Sequence, residues 1–316
     1  MCIKGLVSVD VWLCNRLHYY SWLVLPSFRV CKQGRLSVLK KILLGLLILL
    51  LVLAGLVFYN LRSNGLFRTP SYDTVAPEIP KLQHPAVLVL NKTNGFIHKE
   101  GLPAAGKMLE ELAKENGWHL YSTDNAATHN AADLARFDVV IWNNTSGDIL
   151  TAEQRTAFKT WLLAGGQWLG LHAAGGDPSY DWGWYMNTLL GAQFFGHTMS
   201  PQFQDADVVV VEASPLTAHL KSPWNIAQEE WYAFDRNPRD TGSTILLALD
   251  ESSYDTEESI FPDPTMPDEH PIAWTHKLGQ GTIIYSGIGH TAQTYSLPEY
   301  REFLVKAINQ LAGQEQ

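Results

Sequence analysis

Cysteine is missing from most of this chain: the only three, Cys2, Cys14 and Cys31, lie near the N-terminus. The rest of the protein therefore has no thiol nucleophile, no disulfide framework and no thiolate metal site. Walker and G-x-G-x-x-G motifs are also missing, as is the G-x-S-x-G turn that presents a catalytic serine. We expect no nucleotide cofactor and no serine hydrolase of the α/β type.

Positive charge is scarce beyond residue 41. The first 41 residues carry seven basic side chains and one acidic side chain, Asp10, whereas the remainder carries 16 basic and 31 acidic side chains. Such an acidic surface repels the phosphate backbone, so nucleic acid is not an expected partner.

The segment Ile42–Tyr59 contains no charged residue at all. Eighteen apolar residues in a helix reach about 27 Å, close to the hydrocarbon thickness of a bilayer. We interpret residues 42–61 as a transmembrane helix or signal anchor; a cleaved signal peptide is the alternative. Lys40 and Lys41 precede the segment, and the positive-inside rule then places residues 1–41 in the cytoplasm and the main domain in the periplasm or at the cell surface. A true start just before Leu39 is an alternative reading of the N-terminal segment.

Residues 62–85 read as a linker because four prolines stand in a polar background, and we expect it to hold the domain a short distance from the membrane. Residues 86–316 then alternate strand and helix signals, which predicts one α/β domain with a mostly parallel sheet flanked by helices. The predicted strands are 86–90, 118–122, 138–142, 167–171, 208–211, 244–249, 272–275 and 282–285, and the predicted helices are 103–116, 151–164 and 298–311.

Histidines and amide side chains follow several predicted strands. His98 and Asn144 come after the first and third strands, His172 directly after the fourth, and His290 after the strand at 282–285. Ligands of open α/β sheets bind outside the carboxyl ends of the strands, so we expect these side chains to converge. His197 and Glu230 join them from loops. Such a cluster suits metal ligation or acid–base chemistry, whereas each histidine taken singly is as easily a donor to a backbone carbonyl.

Aromatic residues surround two of these loops. Trp182, Trp184 and Tyr232 would stack on sugar rings, or they would pack against the helix and strands that carry them. The sequence leaves both readings open.

A set of short motifs in order resembles the ThuA-like, or trehalose utilisation, domain family. The motifs are Phe96-Ile97-His98, Gly170-Leu171-His172, Trp182-Gly183-Trp184-Tyr185, Leu190-Gly191-Ala192 with His197, Glu229-Glu230-Trp231-Tyr232 and Gly289-His290. The resemblance implies a flavodoxin-like sheet similar to class I glutamine amidotransferases, in which His172 stands where those enzymes carry their cysteine. It also implies the use of trehalose and related disaccharides, as sugars oxidised at a ring carbon, alongside dehydrogenase partners. The family's usual Asp-Glu pair is Glu229-Glu230 here, which changes the reach of the first carboxylate.

Our functional hypothesis is a membrane-anchored enzyme that acts on a glycoside or keto sugar by hydrolysis or elimination. We assign His172 and Glu230 as candidate bases, His98, His197 and His290 as candidate ligands of a divalent, zinc-like metal, and Asn144, Trp182, Trp184 and Tyr232 as candidate sugar-binding residues. A non-catalytic carbohydrate-binding or scaffold domain is the alternative. The sequence predicts no oligomeric state.

Overall fold

The computed structural model describes residues 32–176, 180–257, 262–266 and 268–314. The chain divides into a unit that ends at Gly55 and a second unit, Leu56–Gln316. Most of the predicted cytoplasmic segment, residues 1–41, lies outside the described residues.

The predicted apolar helix is present. Helix α1 spans Lys32–Ser63, and its stretch Val38–Ser63 is long and apolar enough to cross a membrane. Leucine, isoleucine and valine side chains along that stretch are more than half exposed, so the helix does not serve as a buried core element. The structure thus shows a candidate span, and its insertion and orientation stay predictions.

One half of the sheet is parallel. This half-sheet is built from strands that precede residue 172 and from one strand near the C-terminus. Its strands run in the order β2-β1-β3-β4-β11, the 2-1-3-4-5 order of flavodoxin-like sheets, which confirms the predicted parallel sheet flanked by helices. The elements are β1 Ala86–Leu90, α2 Gly101–Asn116, β2 His119–Thr123, α3 Ala131–Leu134, β3 Val139–Asn143, α4 Ala152–Leu163, β4 Gln167–Leu171, β11 Gly281–Ser286 and α5 Pro298–Leu311.

Four antiparallel strands extend this sheet to nine in the order β11-β10-β9-β6-β7. A separate antiparallel pair, β5 with β8, lies outside it. The further elements are β5 Phe194–His197, β6 Gln204–Val210, β7 Trp224–Glu229, β8 Tyr232–Phe234, β9 Thr244–Asp250 and β10 His270–Leu278. The sequence did not predict β5, β7 and β8, because they are short and lack a continuous apolar run.

Local sequence signals explain where the main helices begin and end. Thr151 and Gln154 form a capping box at the start of α4, and Pro298 occupies the first turn of α5. Helix α2 ends at Gly117, whose φ of 74° is a left-handed conformation that favours glycine. These helices cover the parallel half-sheet, whose central strands β1 and β3 are buried along their whole length.

The segment predicted as a linker lies against the domain. Lys92 pairs with Asp73 at 2.8 Å, the side chain of Gln154 donates to the Asp73 carbonyl, and Ser71 donates to the Asn94 side chain. Arg136 donates to the carbonyls at 79 and 80. Residues 64–85 contain no helix or strand, yet they are tied to the domain and do not form a free spacer.

Candidate functional site

Four predicted site residues converge at the carboxyl edge of the sheet. His98 follows β1, His172 follows β4, Glu230 follows β7 and His290 follows β11. One possible ligand atom from each lies within 4.8 Å of all the others. We call these four residues the His–Glu cluster. Its members come from both halves of the sheet, so parallel and antiparallel strands both contribute residues to the cluster.

His172 occupies a sharp turn between β4 and a short 3₁₀ helix. Its φ is 44°, a left-handed conformation that costs energy in a residue with a Cβ and that is often found at functional sites. Nδ1 of His172 lies 2.7 Å from the Gly287 carbonyl, which can only accept, so Nδ1 carries the proton. Its other ring nitrogen, Nε2, therefore faces the cluster, 3.4 Å from Nδ1 of His290 and 3.6 Å from Oε2 of Glu230.

Glu230 is the carboxylate at the centre of the cluster and is only 2% exposed. Oε2 lies 2.8 Å from Nδ1 of His290, while Oε1 lies 3.3 Å from Nε2 of His197 and accepts a hydrogen bond from Gln202. Burial alone would raise the pKa of Glu230, but hydrogen bonds from His172 and His290 hold it well below the usual value. The carboxylate is ionised at neutral pH and acts as an acceptor only.

His98 is buried beside the same carboxylate. Its Nε2 lies 3.1 Å from the hydroxyl of Tyr232, and its Nδ1 is buried without a hydrogen-bond partner among the described residues. Burial, and then the neighbouring His172, lower the pKa of His98 well below the usual value. The ring is therefore neutral and keeps a lone pair, as a metal ligand must.

Two histidines are the partly exposed members of this region. The side chain of His290 is 13% exposed and that of His197 is 20% exposed, whereas the side chain of His172 is fully buried. His290 also lines a cavity of about 420 Å³ together with Phe96, Phe203 and other residues. The cavity thus borders the cluster on the side of His290.

His197 lies next to the cluster but is not one of the four converging residues. Its Nδ1 is 2.8 Å from the Thr198 carbonyl, so Nε2 faces the Glu230 carboxylate. His290 pairs with the same carboxylate. Burial disfavours its charged form and so lowers the pKa of His290, but the hydrogen bond to Glu230 outweighs this effect and the pKa is raised overall.

Glu229 is a site residue to which the sequence assigned no role. It is fully buried; one oxygen accepts from the backbone N–H groups of Glu230 and His290, and the other accepts from Thr294. One carboxylate thus holds two cluster residues in place. The only sequence signal for this role was the Glu-Glu pair itself.

The predicted sugar-binding residues occupy different surroundings. Tyr232 is 5% exposed and stacks on His172 with ring centroids 4.1 Å apart, and Asn144 is fully buried and donates to the hydroxyl of Tyr295. Trp182 and Trp184 pack on each other near α4, where Arg155 and Lys159 lie over their rings. The structure thus brings Tyr232 to the cluster and places the two tryptophans against α4.

The comparisons with known proteins agree with this architecture. Residues 86–310 match the ThuA family, described as trehalose utilisation. A ThuA-like protein from Bacteroides uniformis has a similar structure, with a TM-score of 0.62 and 24% identity over 75% of this chain and 95% of its own. Another from Parabacteroides merdae has a TM-score of 0.53 and 13% identity over 73% of this chain and 91% of its own.

No curated protein matches the sequence. The family match covers most of the chain and includes every residue of the His–Glu cluster. The two similar structures independently support the fold. The chain therefore belongs to the ThuA, trehalose utilisation family.

Proposed function

We propose that this protein is a membrane-anchored, extracytoplasmic enzyme that breaks the glycosidic bond of a keto sugar by elimination or hydrolysis, with a divalent cation held by the His–Glu cluster. The observation that carries the proposal is the convergence of three imidazoles and one carboxylate within 4.8 Å. Trehalose utilisation, the description of the family, supports a sugar as the substrate.

The donor set fits a divalent cation of the zinc type. Zinc is commonly bound by imidazole nitrogens and carboxylate oxygens. The structure offers a neutral, buried His98, an Nε2 of His172 aimed by the Gly287 carbonyl, and an ionised Glu230. Ligating histidines usually donate their other ring N–H to a carbonyl, as His172 does. When bound, the cation would stabilise negative charge developing on the substrate's carbonyl oxygen.

A ring carbonyl makes elimination accessible to this set of side chains. It acidifies the neighbouring C–H, so a base removes that proton and the electron pair forms the enolate. The enolate then expels the glycosidic oxygen from the adjacent carbon, leaving a C=C bond, and the oxygen takes a proton. Addition of water to the C=C bond would give net hydrolysis.

The exposure of the side chains bears on which residue acts as the base. His172 and Glu230 were the bases expected from sequence, but both are almost completely buried within the cluster. Holding the cation is the role that their surroundings support. His197 borders Glu230 and keeps some solvent contact, and we propose it as the group that exchanges the proton with the substrate.

The proposal is tested with the purified full chain and two probes, a disaccharide oxidised to a ketone at one ring carbon and its unoxidised parent. We expect turnover of the oxidised probe that disappears with a chelator and returns with added zinc. In His197→Gln we expect the loss of turnover with zinc binding retained. Binding of the sugars without turnover, unaffected by chelator, would contradict the proposal and support a non-catalytic carbohydrate-binding domain.

A further inference from the structure

The end of helix α1 is fixed directly to the loop that carries His98. Leu56–Ser63 belongs to the same compact unit as the domain. The backbone N–H of Ile97 donates to the Asn64 carbonyl at 2.8 Å, and a Cβ at Gly65 would collide with the carbonyl oxygen of Gly95. The residues that directly follow the candidate span therefore contact the loop that carries His98.

The cavity beside His290 begins at this same place. Asn64, the residue that follows the candidate span, lines the cavity together with Phe96 and His290. If Val38–Ser63 crosses a bilayer, Ser63 lies at the membrane–water boundary. Asn64, and with it this wall of the cavity, then lies close to the lipid headgroups.

Contacts with the domain also hold the segment that follows, residues 64–85. Ser71 and Asp73 are hydrogen-bonded to Asn94 and Lys92, which follow β1. These contacts hold the segment against the domain.

The residues around the helix end suit a lipid surface. Phe67 is 66% exposed and stacks on Phe58 of the span with ring centroids 6.2 Å apart. Arg62 and Arg68 lie near these two residues in the sequence. Aromatic side chains and arginines are typical of the interfacial layer, where the rings contact acyl chains and the guanidinium groups contact phosphates.

Resting on the function proposed above, we infer that the sugar is the headgroup of a membrane lipid. The glycosidic bond that breaks is the one that joins the keto sugar to its lipid. The base takes the proton next to the carbonyl, the electron pair forms the C=C bond, and the glycosidic oxygen leaves with the lipid and takes a proton. A soluble glycoside has the same reacting group, so the two sources are separated by experiment.

The position of the site is tested without any turnover. Cys2, Cys14 and Cys31 are replaced by serine in the full chain, which is placed in phosphatidylcholine nanodiscs containing a lipid with a nitroxide headgroup. A bimane attached to Gln293→Cys, at the cavity rim, is expected to be strongly quenched. The control is Gln280→Cys. Gln280 is exposed and immediately precedes β11, so it lies at the opposite edge of the sheet. The six residues of β11 separate the two edges by about 20 Å. Equal quenching at both positions, or none at Gln293→Cys, would overturn the inference.

The substrate is tested with two probes that carry the same keto-glucoside, a dialkyl glycerol form in nanodiscs and a methyl form in solution. We expect faster turnover of the lipid form, and a twelve-residue Gly-Ser insertion between Tyr59 and Asn60 should lower that rate by about fivefold or more through a lower effective concentration. The rate with the methyl probe should not change. Equal sensitivity of both probes to the insertion, or preference for the methyl form, would overturn the inference and leave the proposed function standing. Failure to convert either probe would instead contradict the proposed function.

Discussion

The carboxylate of Glu230 lies 2.8 Å from Nδ1 of His290, a residue 60 positions further along the chain. Glu230 follows an antiparallel strand and His290 follows a parallel strand, so this contact joins the two halves of the sheet. Despite the burial of both groups, the contact raises the pKa of His290 and helps to hold that of Glu230 low.

Replacement of Glu229 should weaken metal binding by releasing the loop that carries His290. Glu229→Gln keeps the shape but gives up a charged acceptor of the N–H groups of Glu230 and His290. We expect a loss of about 1.5–3 kcal/mol in the free energy of unfolding, because hydrogen bonds to charged groups contribute that much. Denaturant unfolding and zinc titration of the full chain measure the two effects.

The matched control for Glu229→Gln is Glu212→Gln, because Glu212 is exposed. It should change neither stability nor zinc affinity. If Glu229→Gln behaves like this control, Glu229 does not position the cluster.

Tyr232→Phe separates a supporting role of this residue from a sugar-binding role. The substitution removes the hydroxyl that meets Nε2 of His98 and keeps the ring that stacks on His172. We expect zinc affinity to fall by about tenfold, the lower end of the range for residues that orient metal ligands. Isothermal titration with zinc measures this change. A higher KM with unchanged zinc affinity would favour sugar binding instead.

Low pH should destabilise the fold through His129. This histidine is fully buried, its Nε2 accepts a hydrogen bond from Trp142, and burial lowers its pKa to about 3. Below pH 6.5, the usual pKa of histidine, His129 binds a proton in the unfolded chain but stays neutral in the folded protein. Its contribution to the free energy of unfolding is therefore fully present above pH 6.5 and is lost as the pH falls towards 3. The slope reaches about 1.4 kcal/mol per pH unit for this one group.

His129→Gln removes that titration and keeps an acceptor for Trp142. Its unfolding free energy, measured in denaturant between pH 4 and 7, should depend on pH less steeply than that of the unsubstituted protein. Since all other titrating groups are shared, the difference in slope reports His129. Identical slopes would show that this histidine does not remain neutral in the fold.

Trp182 and Trp184 test whether the aromatic segment packs or binds sugar. Trp182 is partly buried against Phe158 and Tyr185, so Trp182→Ala should cost about 2 kcal/mol of stability. Trp184→Ala, which removes the ring under Lys159, should cost less. We expect KM for the sugar to stay unchanged in both variants, and a raised KM without loss of stability would restore the sugar-platform interpretation.

The sequence predicted the histidines of the site because of a property of parallel sheets. Residues that follow parallel strands meet at one edge, so the sequence alone groups His98, His172 and His290. Glu230 was included partly through the family motif, since its strand gives no clear apolar pattern. Glu229 and the hydroxyl of Tyr232 act through tertiary contacts with residues that are distant in sequence, and no local pattern records such contacts.

The predicted linker shows the same limit. Its prolines and polar residues indicated a linker, and residues 64–85 contain no helix or strand. Its contacts, such as Lys92 with Asp73, depend on the assembled domain and could not be derived from composition.

The zinc content of the full chain tests the central claim most directly. The protein is purified in detergent, incubated with zinc, desalted and analysed by mass spectrometry of the metal. We predict about one zinc per chain in the unsubstituted protein and in His197→Gln, as expected for a single site. Glu230→Gln and His290→Ala, with their folding checked by circular dichroism, should retain almost none. An unsubstituted protein without zinc, or cluster variants that keep the full amount, would contradict the account.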